Sequence, residues 1–352
     1  MNNLEKIDRN FAVKAPDGAE RAWLDIEQAP FQICGLMREG DRYVRLPSAV
    51  AEQVSDGVAF LNYNTAGGRV RFATDSPRIG LRASMHGICR MPHFTLCGSA
   101  GFDLYDDTGE KPVYRGTFMP PYEFEDGYES EVFVGEGGLR QYTVNFPLYS
   151  GVKTLEIGLQ NGSTLAACEH YEPVEPIVYY GSSITQGGCA SRPGNAYQAM
   201  VCRALDCDFL NLGFSGSAKA EDTISDYIAR LNMSVFVYDY DHNAPTAEYL
   251  QETHEKMFLR FRAAQPTTPV IMMCRPQPNP NEDDLRRLAI IQATYENAKK
   301  CGDENVYLIN MHRAVADFCG DGATVDNCHP NDLGFMAMAN AVIDAIQSNC
   351  LL

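Results

Sequence analysis

Two textures divide the chain. From about residue 21 to residue 170, short segments alternate apolar and polar positions and are broken by Gly, Pro, Asn and Asp. Examples are Arg69-Val70-Arg71-Phe72-Ala73, Arg78-Ile79-Gly80-Leu81-Arg82 and Gln141-Tyr142-Thr143-Val144-Asn145-Phe146. A period of two marks strands with one buried face, and many of them between turn signals predict an antiparallel β-sandwich. No helical period stands out in this half. From about residue 176, continuous apolar runs alternate with longer stretches of helical period, which predicts a parallel sheet covered by helices. Strands are expected at Ile177 to Tyr180, Asp208 to Leu212, Val235 to Tyr240, Val270 to Cys274 and Val306 to Asn310. Helices are expected over Ala196 to Leu205, Thr223 to Leu231, Thr246 to Ala264, Asp283 to Lys300 and Leu333 to Ser348. The textures meet at Glu172-Pro173-Val174-Glu175-Pro176, so two domains are expected, 1–172 and 173–352, joined by a connector too short and stiff for free movement.

Composition adds limits. The chain of 352 residues is 45% apolar and 21% charged, the balance of an ordinary globular protein. Its formal net charge of −17 disfavours nucleic acid or an anionic membrane surface as partner and suits neutral or cationic substrates. The stretch Met1 to Asp8 has neither a basic region nor an apolar core, and no apolar run reaches the length of a membrane span, so the cytoplasm is the expected location. Of the twelve cysteines, Cys34, Cys202 and Cys274 follow apolar neighbours. No pair has C-x-x-C spacing, and Cys202 and Cys207 lack a second pair nearby, so reduced structural thiols are expected rather than a zinc site.

Chemistry enters at Ile177-Val178-Tyr179-Tyr180-Gly181-Ser182-Ser183-Ile184-Thr185-Gln186-Gly187-Gly188. An apolar strand running into Gly and small polar residues holds a hydroxyl at the carboxyl edge of the sheet, where open α/β folds bind ligands. Ser183 is the candidate nucleophile; from these twelve residues alone, a loop capping the next helix fits equally. A serine needs a base, and the base an orienting acid. Near the C-terminus, Asp326 and His329 stand three apart in one loop before the last helix. His242 and His312 also follow strands. His312 has no acid three residues before it, and the acid before His242, Asp239, sits inside a strand whose pleat fixes its direction. Oxyanion donors are sought after the second strand, in Asn211-Leu212-Gly213-Phe214-Ser215-Gly216-Ser217, and after the third, in Asp241-His242-Asn243-Ala244-Pro245. The Ser183 and Gly216 N–H groups and the Asn243 amide are the candidates; singly, Gly216 also fits a turn and Asn243 a helix cap.

The order Gly-x-Ser, Asn-x-Gly-x-Ser-Gly, a strand-end Asn and Asp-x-x-His before the final helix resembles the SGNH (GDSL-like) hydrolase superfamily, over residues 176–352. The resemblance implies a three-layer α/β/α fold with a five-stranded parallel sheet, Ser183 as nucleophile, Gly216 and Asn243 as oxyanion donors, and Asp326 and His329 as acid and base. Gly101-Phe102-Asp103-Leu104-Tyr105 is similar to the G-x-D-L-Y signature of the antiparallel, jelly-roll-like sandwich domain that precedes some SGNH esterases, and Phe146-Pro147-Leu148-Tyr149-Ser150-Gly151 to a segment of that subgroup. Two departures from the common blocks are Gly181-Ser182-Ser183 in place of Gly-Asp-Ser, and Asp241-His242-Asn243-Ala244 in place of Gly-x-Asn-Asp.

The expected activity is that of a serine esterase acting on a short acyl group, acetate on a sugar foremost, with the sandwich forming one wall of the site and with no metal or organic cofactor. An acyltransferase with the same residues and a catalytically inactive carbohydrate-binding protein are the alternatives. Asp103, Tyr105 and Trp23 are expected to be structural rather than site residues.

Overall fold

The computed structural model describes residues 7, 8, 20–169, 171 and 175–352. Most of the stretch Met1 to Asp8 and the connector residues Glu172, Pro173 and Val174 lie outside the described residues.

The alternating segments do pair as antiparallel strands. One sheet runs Arg21–Asp25, Gly151–Gln160, Arg78–His86, Gly127–Phe133; the other runs Leu165–Ala166, Arg69–Thr74, Arg140–Asn145, Phe102–Asp106, Val113–Phe118, with Gln32–Cys34 also on Arg69–Thr74. Their inner faces bury Ile79, Leu81 and Ile157 from the first sheet against Phe72, Phe102, Leu104 and Val144 from the second.

The expectation of no helix in this half is corrected by Ser48–Val54 and Asp56–Leu61. Each is about two turns long, too short for a helical period to stand out. Ser55 separates them and caps the second, its side chain accepting from Val58 N–H. These helices do not join the sandwich core. Ala51, Val58 and Leu61 pack instead into the core of the other half, with Leu46, Phe94, Leu148 and Tyr149.

The second half is a five-stranded parallel sheet in the order Phe209–Gly213, Ile177–Gly181, Val235–Asp239, Val270–Met273, Val306–Ile309. Each strand begins and ends within a residue or two of its expected place. Strands buried on both faces read as continuous apolar runs, which is why they were legible. Helices Tyr197–Leu205, Asp222–Ile228, Ala247–Ala264, Glu282–Lys300 and Asp332–Ser348 cover it. A further helix, Met311–Phe318, was not expected; Asn310, assigned by pattern to the strand, is its N-cap and accepts from Arg313 N–H. The first strand lies between the second and the third. Chain connections leave it in opposite directions, so its carboxyl end opens on the crevice where such folds bind ligands. Ser183 stands there.

Candidate active site

The strand Ile177–Gly181 ends at a glycine that nothing larger could replace, since a Cβ on Gly181 would run into Thr185 Oγ1 and the Asp239 carboxylate. Ser182 then caps the short helix Ser183–Gln186 by accepting from Ile184 N–H, and Gly187 ends it at φ +101°. A serine hydroxyl supplies the capping oxygen that the aspartate of the common block would offer. Ser183 is thereby held at the first helical position, 6% exposed.

The sandwich half braces this turn. Tyr149 Oη donates to Ser183 O at 3.1 Å, and Gln186 Nε2 donates to Asn64 Oδ1 at 3.1 Å and to Leu148 O at 3.2 Å. The segment similar to that of sandwich-bearing esterases thus supports the turn from below.

The loop before the last helix supplies the other two residues. Thr324 and Pro330 bridge, closing a short loop in which Asn327 adopts φ +64°. Within it Asp326 Oδ1 accepts from Cys328 N–H at 3.0 Å and His329 N–H at 2.7 Å. Its Oδ2 meets His329 Nδ1 at 2.8 Å, and His329 Nε2 lies 2.9 Å from Ser183 Oγ. An anionic carboxylate can only accept, so Nδ1 carries a proton, and in the neutral ring Nε2 is then the nitrogen that accepts from the Ser183 hydroxyl. The loop is tied back to the segment after the nucleophile turn by Asp332, which accepts from Ser191 N–H at 2.9 Å and Asn195 Nδ2 at 2.8 Å.

Ser183 and His329 open on a cavity of about 450 Å³ lined also by Gly216, His242, Asn243, Ala244, Pro245, Arg275, Asp283, Asp284 and Arg287. Gly216 sits at φ +66°, and Asn243 Nδ2 donates to Phe214 O at 2.8 Å, which fixes its amide and leaves a second N–H. Every lining residue comes from the α/β half. The expected sandwich wall is thus corrected among the described lining residues; what the sandwich half brings near the triad is His93, whose Nε2 lies 3.8 Å from Asp326 Oδ2 and whose ring is 6.0 Å from that of His329.

Asp103 and Tyr105 are buried elsewhere. Asp103 accepts from Arg192 Nη1 at 2.7 Å, Asn145 Nδ2 at 2.8 Å and Gly194 N–H at 2.9 Å, joining the sandwich to the loop beyond the nucleophile turn. Trp23, on the edge strand Arg21–Asp25, packs under Arg82. Of the alternative histidines, His312 is buried against Gln277 O, whereas His242 faces the cavity.

Sequence reasoning missed the network around His242. Arg275 Nη1 contacts His242 Nδ1 at 2.9 Å and Nη2 pairs with Asp284 Oδ1 at 2.5 Å. A guanidinium only donates, so Nδ1 accepts and Nε2–H faces Cys328 Sγ, 2.9 Å away. Burial opposes a thiolate at Cys328, but hydrogen bonds from His242 and His329 outweigh it and bring the thiol down to about 6. In turn the hydrogen bond with Cys328, and then that with Asp326, raise His329 to about 9 against the opposing effect of burial. Burial also works against the charged form of Asp326, yet the His329 ring and backbone N–H groups hold its carboxyl below the usual range. The buried Asp241 accepts Arg275 N–H on Oδ2, and its carbonyl accepts from Arg287.

All twelve cysteines are free thiols. Among the described residues, two sets lie close enough to hold a metal ion, His93 with Cys189 and His329, and Asp326 with Cys328 and His329. Both would take His329 from Ser183. No described helix is long and apolar enough to cross a membrane.

Residues 174–347 match the GDSL-like lipase/acylhydrolase family, and residues 21–165 match the N-terminus of SGNH-hydrolase-type esterases, the GxDLY domain. No match was found among curated proteins. Among solved structures, a protein of Bacteroides ovatus described as a GDSL-like lipase is 29% identical with a TM-score of 0.83, over 94% of this chain and 98% of its own. A salicylyl-acyltransferase from a tetracycline biosynthetic pathway is 18% identical with a TM-score of 0.77, over 94% and 98%. An acetyl xylan esterase from the rumen bacterium Butyrivibrio proteoclasticus is 12% identical with a TM-score of 0.59, again over 94% and 98%. At these identities the last two share the fold alone. The chain belongs to the GDSL-like lipase/acylhydrolase family, an SGNH-type ester hydrolase whose α/β domain follows a GxDLY-type sandwich.

Proposed function

We propose that Ser183, His329 and Asp326 act as nucleophile, general base and orienting acid in the hydrolysis of short acyl esters, acetate foremost, on a carbohydrate or similarly polar alcohol. His329 Nε2 takes the Ser183 proton as Oγ attacks the ester carbonyl. The oxyanion is received by the Ser183 and Gly216 N–H groups and the Asn243 amide. The tetrahedral intermediate collapses as His329 returns its proton to the leaving alcohol, giving an acyl-enzyme. Water, deprotonated by His329, then releases the acid and restores Ser183.

The observation that carries this reading is the unbroken chain from Ser183 Oγ through His329 to Asp326, at 2.9 and 2.8 Å. The lining supports a polar substrate: only Ala244 and Pro245 are apolar among charged and amide side chains, so a long acyl chain would find little apolar surface to bury. Hydrolysis is favoured over transfer because the site admits water, the His329 and Asp326 side chains being 24% and 31% exposed.

The test is hydrolysis of p-nitrophenyl acetate by the wild type and by Ser183→Ala at matched fold content. Loss of at least ~10³ in kcat is expected. Equal rates would refute the serine mechanism. Acetylated oligosaccharides, with and without an acceptor alcohol, then separate hydrolysis from transfer by product.

A further inference from the structure

A second cavity, of about 270 Å³, lies between the two halves of the molecule and shares no lining residue with the first. Arg69, Arg71, Thr143 and Asn145 reach it from the six-stranded sheet, Tyr105 from the same sheet, and Ala199, Cys202 and Arg203 from the helix Tyr197–Leu205. Asp206 lines it just before the strand Phe209–Gly213 begins, whereas Ser183 follows the end of the parallel neighbour Ile177–Gly181. Five residues at about 3.3 Å each separate the two levels, so the cavity sits at the amino edge of the sheet, roughly 16 Å or more from the nucleophile.

Its distinguishing group is Arg71. This side chain is 4% exposed, and its Nε and Nη1 are buried with no hydrogen-bond partner. The guanidinium lies 3.8 Å over the Tyr171 ring. Its neighbours are differently placed. The two Nη groups of Arg69 are occupied by Gly67 O, the Asp208 carboxylate and Phe209 O, only its Nε being without a partner, and Arg203 donates to Gly194 O at 2.7 Å while stacking on Tyr105. Nε and Nη1 are closed off from the cavity as well as from protein partners, so the donor left to a molecule in the cavity is Nη2, and a carboxylate is the acceptor that matches a guanidinium best.

The rest of the lining narrows the ligand. Asp107, Glu110, Glu169 and Asp206 surround the cavity, so a multiply charged anion such as phosphate would be repelled. The Thr143 hydroxyl already donates to Asp107, the Gln141 amide engages Glu169 at both ends and Asn145 Nδ2 donates to Asp103; the remaining carboxylate oxygens suit hydroxyl groups. At about 30 Å³ per water, the space equals roughly nine waters, enough for one monosaccharide-sized molecule. We propose that this interdomain cavity is a binding site for a small hydroxylated monocarboxylate, of the uronic or aldonic acid class, with its carboxylate on Arg71.

The test is isothermal titration calorimetry of the full chain with sodium glucuronate, with glucose as the neutral control. Saturable binding of glucuronate is expected, at least tenfold tighter than glucose. It should persist in Ser183→Ala, weaken at least tenfold in Arg71→Met, and leave p-nitrophenyl acetate hydrolysis by Arg71→Met within twofold of wild type. Asp107→Asn, which removes a competing negative charge from the same wall, should tighten binding. The proposal is overturned by absence of saturable binding, by equal affinity for glucose, or by unchanged affinity in Arg71→Met. Should Arg71→Met not fold, unchanged affinity in Asp107→Asn overturns it equally. Binding that depends on the first cavity instead would show as loss in Arg275→Met with Arg71→Met unaffected, and that too refutes it.

Discussion

Cys328→Ser should make the enzyme more active at neutral pH. Cys328 precedes His329, and its sulfur is 2.9 Å from His242 Nε2. With the thiol at about 6 and His329 at about 9, the loop carries a thiolate beside an imidazolium across neutral pH. An imidazolium cannot take the Ser183 proton. At pH 7 a base of pKa about 9 is only about 1% neutral, and each unit by which the pKa falls raises that fraction about tenfold. Serine keeps the size of the side chain but removes its negative charge. The contribution of Asp326 remains, so a drop of about one unit is the working expectation, with about tenfold more active base at pH 7 and somewhat less gain in rate because a weaker base abstracts more slowly. The assay is kcat/KM for p-nitrophenyl acetate from pH 6 to 10, corrected for spontaneous hydrolysis, since this parameter titrates the free enzyme. Wild-type activity should climb about tenfold per unit from pH 7 and level off near the His329 value; Cys328→Ser should level off earlier. Superimposable profiles, or a wild type already level at pH 7, would refute the reasoning.

Two further outcomes follow from the same geometry. Asn243→Ala should lower kcat by roughly 10²–10³ with little change in KM, because the amide meets the oxyanion rather than the bound ester; a fall confined to KM would remove Asn243 from that role. Asp103→Ala should destabilise the folded chain by roughly 3–5 kcal/mol in urea unfolding, since it removes the acceptor of Asn145 Nδ2 and Gly194 N–H and leaves the Arg192 guanidinium without its anionic partner, with only Tyr105 Oη at Nη1. A midpoint unchanged from wild type would show the contact between halves to be dispensable.

What the chain disclosed before folding depends on how local each signal is. The parallel strands were legible because burial on both faces leaves nothing but apolar residues, as in Ile177 to Tyr180. Asp326 and His329 were legible because acid and imidazole share one loop. The network of His242, Arg275 and Cys328 was not: its members come from three separated segments, and the chemistry of Cys328 arises from a ring 86 positions away. His93 was equally hidden, an irregular-segment residue from the sandwich brought beside the acid by the docking of one half on the other.

The strand Arg69–Thr74 carries the lesson furthest. Its alternation of Arg and apolar residues predicts one buried and one solvated face, yet all six residues are buried. The pattern correctly identified which side chains enter the sandwich core, Val70 and Phe72, but a polar face says only that water or something equally polar covers it. Here the cover is the α/β half. The two Nη groups of Arg69 found acceptors in Asp208 and two carbonyls. Arg71 found an aromatic ring and a cavity, with two donors left idle. A buried cation without a protein acceptor is the physical reason the interdomain cavity, and not only the serine, is proposed to take a ligand.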